Sequence, residues 1–359
     1  MVSRYDIAIV GAGIAGASLA AELAAHASVL LLEAEDQAGY HSTGRSAAFW
    51  SETYGGPFIQ PLTTASEPGI RAFLEPLGSL HIARSDEAAL VDRFLAAFDG
   101  SGVELLPADP RDTLPGLRPE WTLAAWEPSC AYIDVAGLHA DCLARARRAG
   151  ADLRTGAELL AATRAGGSWQ LDTKAGPIAA ELLVNAAGAW ADSVAALAGA
   201  APLGIQPYRR TLVQLRTDPA PPAGLPHVGH LGGSFYFKPE GVGRLWLSPH
   251  DEIETPPCDA QPEDLDVAVA IDRFEHVVDW RVAALERKWA GLRSFAPDRL
   301  PVYGFDTKVE GLFWCAGQGG FGIQTAPAAA KLAAALLLGH GPAEEVVAID
   351  PQRYAPSRF

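Results

Sequence analysis

The stretch Tyr5-Asp-Ile-Ala-Ile-Val-Gly-Ala-Gly-Ile-Ala-Gly16 decides the fold of this chain. An apolar run enters a Gly-x-Gly-x-x-Gly pattern, which is typical of a buried strand followed by a tight turn and a helix. Gly11 suits the turn, Gly13 lets the backbone approach a pyrophosphate, and Gly16 lets the helix and strand pack closely. The stretch therefore predicts the first half of a dinucleotide-binding unit.

The residues after the glycines complete that unit. A helical run over 14–26 is followed by a second apolar run, Val29–Leu32, which ends on Glu33. The helix N-terminus offers free N–H groups and a positive dipole end to phosphates. Glu33 follows the turn by about 20 residues, where an acid accepts hydrogen bonds from ribose hydroxyls. An ordinary glycine-rich loop does not explain this acid, so we interpret the unit as dinucleotide-binding.

The composition is that of a folded enzyme with a negative surface. The chain has 359 residues, of which 49% are hydrophobic and 20% charged, and its formal net charge is −15. This length predicts two domains with a sizeable core. The charge disfavours nucleic acid and anionic lipid as partners. No apolar run approaches the roughly 20 residues of a membrane span.

The sequence indicates a cytoplasmic protein. The apolar N-terminal run is interrupted by glycines and has no basic leader, so a signal peptide is not expected. Four cysteines form no close-spaced pair and are expected to be reduced structural thiols: Cys130, Cys142, Cys258 and Cys315. Peripheral association with a membrane stays open.

A second strand–turn–helix pattern lies near the C-terminus. Residues 311–328 contain an apolar run, a glycine-dense turn and the start of an Ala/Leu-rich helix that is expected to reach about Leu338. A buried strand is expected at Leu182–Ala189. The predicted fold is α/β, with a discontinuous Rossmann-like cofactor domain and an inserted mixed or antiparallel-sheet (α+β) substrate domain. The cofactor domain is assigned to 1–49, 134–205 and 290–359, and the substrate domain to 50–133 and 206–289.

Within the inserts and their borders the periodicity is mixed. Strands are expected at Ser79–Ala83 and Arg209–Leu215, and helices over 86–98, 134–148 and 264–278.

Residues 39–48, Gly-Tyr-His-Ser-Thr-Gly-Arg-Ser-Ala-Ala, are too rich in small polar residues to form a core element. Their hydroxyl and backbone N–H groups suit a phosphate or a ring edge. A plain surface loop is the alternative interpretation.

Five motifs in order now resemble a known family: Gly11-x-Gly13-x-x-Gly16, Gly39–Ala48, Val184–Trp190, Trp289–Phe295 and Gly317–Thr325. Together they resemble the D-amino-acid oxidase/glycine oxidase superfamily, and within it the FAD-dependent D-arginine dehydrogenases. The resemblance covers nearly the whole chain, with loose matching over 70–130. It implies noncovalent FAD, a D-amino-acid substrate and oxidation at the α-carbon.

The resemblance also implies residue roles. Arg210, Arg293, Tyr54 and Tyr236 are expected to hold the substrate carboxylate, for which the planar fork of Arg is well suited. From the residues alone, Arg293 could instead pair with a nearby acid, the neighbouring Arg209 could replace Arg210, and the tyrosines could be core residues. The family further places Gln324 and Gly320 near the flavin and substrate.

By motif position, the residues expected to contact the flavin are Gly11, Gly13, Ile14, Ala15, Gly16, Glu33, Ala34, Ser42, Thr43, Arg45, Ser46, Ala47, Ala48, Leu159, Ala187, Gly188, Trp190, Gly291, Arg293, Gly319, Gly320, Phe321, Gly322, Ile323 and Gln324.

The sequence departs from the D-arginine dehydrogenases at two positions. Phe49 stands where that group has a histidine, and the strand 78–83 lacks the acid that meets a cationic side chain. His227, together with Phe49 and Gly320, is expected to line the substrate pocket. His227-x-x-His230 has no third ligand in sight, so no metal site is expected.

The expected activity is FAD-dependent oxidative deamination of D-amino acids with neutral or apolar side chains, through an imino acid, to a 2-oxo acid and ammonia. The expected partners are a small-molecule D-amino acid and an electron acceptor, which is a quinone, a dye or O₂. The alternatives are an O₂-using oxidase, an enzyme for N-alkylglycines or cyclic imino acids, a flavoprotein subunit without turnover, and an NAD enzyme. No general base is identified.

Overall fold

The computed structural model describes residues 3–359, and its first sheet carries the glycine-rich turn. Five of its strands are parallel and adjacent in the order Asp152–Arg154, Val29–Leu32, Ser3–Val10, Ile178–Asn185 and Leu312–Ala316. Three antiparallel strands extend it: Leu159–Ala165, Ser168–Thr173 and Val302–Phe305. The buried, apolar parallel strands match the expectation for a sheet covered on both faces.

Helices cover one face of this sheet. The first helix, Ile14–Leu23, packs beside Val135–Arg148 and Gly322–Leu338. Their small and apolar side chains form one core with the strand residues that point to that face, such as Ile7 and Ile9. The other face packs against the antiparallel strands and the helix Ala191–Leu197, through Ala8 and Val10.

The second sheet is built from the inserted segments. Its strands are, in spatial order, Gln318–Gly319, Arg281–Phe295, Gln206–Asp218, Arg244–Ser248, Tyr236–Pro239, His227–His230, Ser79–Arg84, Trp121–Glu127 and Leu106–Ala108, and Ile253–Glu254 pairs with Gln206–Asp218. One face packs on the helix Asp264–Glu275 through residues such as Val213, Phe237 and Phe274. Because side chains alternate along a strand, the residues between these core positions point to the opposite face. That face lines the cavity described below.

A small third sheet packs against the helices Ile14–Leu23 and Val135–Arg148. It contains Phe49–Trp50, Leu74–Pro76 and Ala131–Ile133. The remaining α-helices are Gln60–Ile70, Ala88–Ala97 and Pro110–Thr113. Short 3₁₀ helices span Arg71–Phe73, Gly188–Trp190, Glu344–Val346, Pro351–Tyr354 and Pro356–Arg358.

The predicted fold class is confirmed, and three α-helices were missed: Gln60–Ile70 and the shorter Pro110–Thr113 and Ala191–Leu197. Gln60–Ile70 contains Pro68, so its sequence lacks a helical signature. It is stabilised by the helix Gly322–Leu338, whose Pro327 lies so close that a Cβ at Gly69 would be 2.7 Å from the proline Cβ. Tertiary packing here overrides a low helix propensity.

The division into two domains stays a prediction. The expected border between residues 289 and 290 falls inside the 15-residue strand Arg281–Phe295, which pairs along its length with Gln206–Asp218. The first half of this strand lies in the inserted segment and its end reaches the glycine turn of the cofactor segment. A continuous strand thus connects the two parts of the site.

Candidate active site

The glycine turn after the first strand excludes a side chain at Gly11 and Gly16 and leaves little room for one at Gly13. Gly11 has φ +103°, and a Cβ there would lie 2.4 Å from the Ala186 carbonyl oxygen. A Cβ at Gly16 would lie 1.9 Å from the Gly11 carbonyl oxygen. At Gly13 the nearest atom is Thr43 Oγ1, 3.2 Å away. The turn therefore presents bare backbone at the point where the helix begins.

The N-terminus of the first helix has the features of an anion-binding site. Its N-cap, Gly13, supplies no side-chain cap, and the first turn carries no acid. In the first turn of this helix, the backbone N–H of Ile14 donates to Thr43 Oγ1 at 3.0 Å. A phosphate placed here would meet the positive end of the helix dipole.

Glu33 lies at the end of the second strand and closes the same turn. Its carboxylate accepts from the backbone N–H of Ala12 (3.0 Å) and of Glu35 (3.1 Å). Each oxygen keeps a lone pair for a ribose hydroxyl. His139, which the sequence reading missed, supports the turn from behind, since its Nε2 donates to the Ala12 carbonyl at 2.9 Å. Burial lowers the pKa of His139, which keeps the ring neutral for this role.

The loop 39–48 is tied to the long strand of the second sheet. Ser42 Oγ donates to the Leu292 carbonyl at 2.7 Å, and Trp289 Nε1 donates to the Arg45 carbonyl at 3.0 Å. The Arg45 guanidinium donates to the Ala260 carbonyl at 2.9 Å. The side chains of Ser42 and Arg45, both predicted to contact the flavin, thus also hold the loop in place.

Most of the predicted site residues line one cavity. It runs from Glu33, past the loop 39–48, to the two arginines of the second sheet. The predicted residues that line it are Gly11, Gly13, Ile14, Ala15, Glu33, Ser42, Thr43, Arg45, Ser46, Ala47, Ala48, Phe49, Tyr54, Ala187, Gly188, Trp190, Arg210, Tyr236, Gly291, Arg293, Gly319, Gly320, Gly322, Ile323 and Gln324.

Five predicted residues lie outside this lining. Gly16 packs behind the turn, Leu159 is buried in the first-sheet core, and Ala34 is exposed. Phe321 packs with Ile59 and Phe295. His227 lies behind Phe49, with ring centroids 4.1 Å apart.

Other lining residues were missed although they lie within the motifs: Gly39, Tyr40, His41, Ala186, Ala189, Leu292, Ser294 and Gln318. Leu212 was missed as well, and it lies two positions from Arg210 on the same face of a strand. Position within a motif, or two positions from a predicted strand residue, could therefore have identified these residues.

Arg210 lines the cavity, whereas Arg209 points to the other face of the same strand. Arg209 pairs with Glu263 and with Asp266, the latter at 2.9 Å, on the helix that covers that face. Arg210 Nε donates to the Asp251 carbonyl at 2.6 Å. The alternation of side chains along the strand thus separates the two neighbouring arginines.

Arg293 reaches the same part of the cavity from the adjacent strand. Its guanidinium donates to the Tyr54 hydroxyl. A Cβ at Gly320 would lie 1.5 Å from Arg293 Nη2, so only glycine leaves room for this guanidinium. Tyr236 lies on the cavity side of its strand and is partly buried, and desolvation raises its pKa to about 12. We call Tyr54, Arg210, Tyr236 and Arg293 the candidate carboxylate clamp.

Three arginines at the clamp share two carboxylates. Glu252 lies 3.4 Å from Arg210, 3.4 Å from Arg293 and 2.8 Å from Arg299, and Asp251 Oδ1 lies 3.7 Å from Arg210 Nε. Burial and the proximity of Arg293 lower the pKa of Arg210 to about 10. A nearby anion stabilises the charged form of a buried cation that lies beside another cation, so a ligand carboxylate fits this position.

An aromatic wall adjoins the clamp. The Phe49 ring lies 5.3 Å from that of Tyr54 and 5.7 Å from that of Tyr236. Behind it, His227 Nδ1 contacts Ser79 Oγ at 2.8 Å. Burial lowers the pKa of His227 well below its usual value, so the ring is neutral.

Gln324, in the first turn of the helix Gly322–Leu338, fastens the residues around Tyr54. Its amide nitrogen donates to the Tyr54 carbonyl at 3.1 Å and to Thr63 Oγ1 at 2.9 Å. Its carbonyl accepts from the Ser51 N–H at 3.4 Å.

The sequence reading noted no acid in the strand 78–83, and it overlooked a buried acid on the next strand. Glu127 is opposite Ser79 in register and is 0% exposed. Its pairing with His81 at 2.7 Å joins the two strands. Only the sheet order brings Glu127 to this place, and no local sequence signal marks it.

Within residues 3–359, no cluster of three or more His, Cys, Asp or Glu side chains could hold a metal ion. His230 bonds to Ser234 Oγ and Glu87 rather than sharing a ligand with His227. Over the same residues, none of the helices has the length and apolar character required to cross a membrane.

The chain matches the family described as DAO, FAD dependent oxidoreductase, over residues 6–336. It is 27% identical to glycine oxidase of Geobacillus kaustophilus over 94% of both chains. A crystal structure of glycine oxidase from that organism covers 100% of both chains, with a TM-score of 0.83 and 26% identity.

Two further proteins are similar to this chain, one over part of its own length and one in fold. Mitochondrial dimethylglycine dehydrogenase of Mus musculus is 27% identical over 98% of this chain, which spans 44% of that protein. L-proline dehydrogenase from P. horikoshii shares the fold, with a TM-score of 0.85, 23% identity, and coverage of 100% of this chain and 98% of that one.

Proposed function

Because the chain belongs to the DAO family of FAD-dependent oxidoreductases, we propose that it oxidises amino acids at the carbon that bears the amine. The proposed substrates are D-amino acids with neutral or apolar side chains, and the products are a 2-oxo acid and ammonia, formed by hydrolysis of an imino acid. The observation that carries the proposal is that the four side chains of the candidate carboxylate clamp line the same cavity as both glycine-rich turns.

The residues of the cavity fit FAD. The bare turn at Gly11 and Gly13 and the uncapped helix start suit the pyrophosphate, and the free lone pairs of Glu33 suit the adenosine ribose. The loop 39–48 and the turn 319–324 would hold the flavin ring. FAD, when bound, supplies the two-electron oxidation, and the protein supplies binding and orientation.

The chain's own residues would bind and orient the substrate. Arg210 and Arg293 neutralise its carboxylate, and the hydroxyls of Tyr54 and Tyr236 donate to it. Because the pKa of Tyr236 is raised to about 12 by burial, its phenol stays protonated at neutral pH and is a donor, not a base. Glu252, the carboxylate that contacts both clamp arginines, is engaged by Arg210, Arg293 and Arg299, so the substrate amine would bind neutral or lose its proton to water.

The aromatic wall supports the choice of side chain. Phe49, Tyr54 and Tyr236 present ring surface beside the clamp. An apolar side chain gains about 0.8 kcal/mol per buried methylene group there. A cation without a counter-ion loses hydration worth several kcal/mol. The buried acid Glu127 does not offset this, because it is fully hydrogen-bonded to the protein.

Glycine and N-alkylglycines are a second candidate substrate class. The whole-length similarity to glycine oxidase and the similarity to dimethylglycine dehydrogenase favour it. The same clamp would hold their carboxylate, and the aromatic wall would meet either an N-alkyl group or an α side chain. Oxygen or a quinone-like dye would accept the electrons in either case.

A substrate panel tests the proposal. The FAD-loaded protein is mixed anaerobically with D-Leu, D-Met, D-Phe, D-Arg, D-Lys, D-Pro, L-Leu, glycine, sarcosine and dimethylglycine, and flavin bleaching is followed. We expect D-Leu, D-Met or D-Phe to exceed D-Arg and D-Lys at least tens-fold in kcat/KM. Peroxide and dye-reduction assays then separate oxidase from dehydrogenase. D-Arg ranking first would reject the pocket argument, and faster turnover of sarcosine would select the second class.

A further inference from the structure

Glu127 lies at one end of a row of side chains on the cavity-facing side of the second sheet. In register, Glu127 is opposite Ser79 and Ser79 is opposite His227. Tyr236 lies on the strand next to that of His227, opposite Gly229, and Arg210 lies two strands further, beyond Arg244–Ser248. The opposite face carries the sequence neighbours Trp126, Leu80, Val228 and Phe237. The clamp and the buried acid therefore share one sheet face.

The Glu127 carboxylate is surrounded by hydrogen-bond donors. Oε1 accepts from the backbone N–H of Glu52 at 2.7 Å and of Thr53 at 3.4 Å. Oε2 accepts from Ser51 Oγ at 2.9 Å, Thr53 Oγ1 at 2.7 Å and His81 Nε2 at 2.7 Å. Four of these five donors belong to the segment 51–53.

These contacts keep Glu127 ionised and unavailable to a ligand. Burial favours the protonated form, but hydrogen bonds from His81, Thr53 and Ser51 outweigh it and lower the pKa of Glu127. Its exposure is 0%, and it does not line the cavity. Of its hydrogen-bond partners, the segment 51–53 is the one that continues into the candidate clamp, at Tyr54.

That segment leads directly into the clamp. Tyr54 follows it, lines the cavity and accepts a hydrogen bond from Arg293. Its carbonyl and the Ser51 N–H both bond to Gln324. Phe49, just before the segment, forms the aromatic wall. The four hydrogen bonds from this segment to one carboxylate thus set the position of the residues on both sides of it.

We propose that Glu127 is a positioning residue of the carboxylate clamp, which acts through the segment 51–53 on Tyr54. This inference rests on the proposed function, since it assigns Glu127 to the site that would bind the substrate carboxylate. Removing its charge leaves four donors of that segment poorly satisfied, and the Tyr54 hydroxyl then loses its place beside Arg293.

A double-mutant cycle between Glu127→Gln and Tyr54→Phe tests the proposal. Two quantities are measured on the FAD-loaded protein: kcat/KM for D-Leu, or for the best substrate of the panel, and the Kd of acetate from the change in flavin absorbance. We expect Glu127→Gln alone to lower kcat/KM and to weaken acetate binding at least about tenfold. In the Tyr54→Phe background the same change should alter both less than about threefold.

Asp306→Asn is the matched control. Asp306 also holds a backbone turn, accepting from Lys308 N, Val309 N and Trp314 Nε1 at 2.8, 2.8 and 3.0 Å, but it does not line the cavity. It should lower stability while leaving acetate binding unchanged in both backgrounds. If Glu127→Gln does not fold, Thr53→Val, which removes one donor to Glu127, replaces it in the cycle.

Additive effects of the Glu127 and Tyr54 changes would overturn the positioning role. A wild-type protein whose flavin is bleached by no compound of the panel would instead overturn the proposed function. In that case the acetate cycle still decides whether Glu127 positions the clamp.

Discussion

Arg209 and Arg210 are neighbours in sequence with different environments, and they provide a matched test of the clamp. Arg210→Met removes a guanidinium that lines the cavity. Hydrogen bonds to charged groups contribute about 1.5–3 kcal/mol each, so losing a two-point contact should lower kcat/KM on the order of 10²-fold. Arg209→Met should change kcat/KM less than about threefold, because Arg209 pairs with Glu263 and Asp266 on the opposite face. Steady-state kinetics with the best substrate decide.

The Arg209 variant is also expected to lose stability, since Asp266 would be left buried without its cation. Thermal unfolding of both variants separates that loss from the kinetic one. Near wild-type kinetics in Arg210→Met would remove Arg210 from the clamp.

At the scale of the element, the strand–turn–helix unit depends on close backbone contact at Gly16. Since a Cβ there would be 1.9 Å from the Gly11 carbonyl oxygen, Gly16→Ala should displace the helix and reduce bound FAD at least about tenfold. Gly13→Ala should have a smaller effect, because Thr43 Oγ1 is 3.2 Å away. The ratio of flavin to protein absorbance after purification gives the result.

Gly341→Ala is the control for this series, because no atom lies within 4 Å of a Cβ at Gly341. It should purify with wild-type flavin content. If Gly16→Ala also purified with wild-type flavin content, the turn would tolerate a side chain and the steric argument would be wrong.

At the scale of the whole molecule, the cavity lies between the two sheets and its FAD is expected to be held without a covalent bond. None of the four cysteines lines the cavity, and burial raises the pKa of Cys315 to about 12, so its thiol is not a nucleophile at neutral pH. Acid or heat should release the flavin into the supernatant. FAD added to the apoprotein at about 100 times its Kd should raise the free energy of unfolding by about 2.7 kcal/mol.

Flavin that stays with the acid-precipitated protein would contradict noncovalent binding. Denaturant unfolding of the apoprotein with and without FAD measures the stabilisation, provided both transitions are two-state. An unchanged midpoint would show that FAD does not bind the folded chain in this cavity.

The sequence alone determined the features that depend on residues close together in the chain. The glycine turn, the helix start and Glu33 form one local unit, so their spacing predicted their geometry. The two arginines were assigned from a family resemblance, and a choice between Arg209 and Arg210 remained. Side-chain alternation could not resolve it, because it requires knowledge of which face is covered by a helix.

The tertiary structure alone decided the contacts between distant segments. The helix Gln60–Ile70 forms despite Pro68 because another helix packs on it. His139 supports Ala12 across 127 positions, and Glu127 holds Ser51 across 76. The order of strands in the sheets brings these pairs together, and that order follows from packing over the whole chain, which no single stretch of sequence contains.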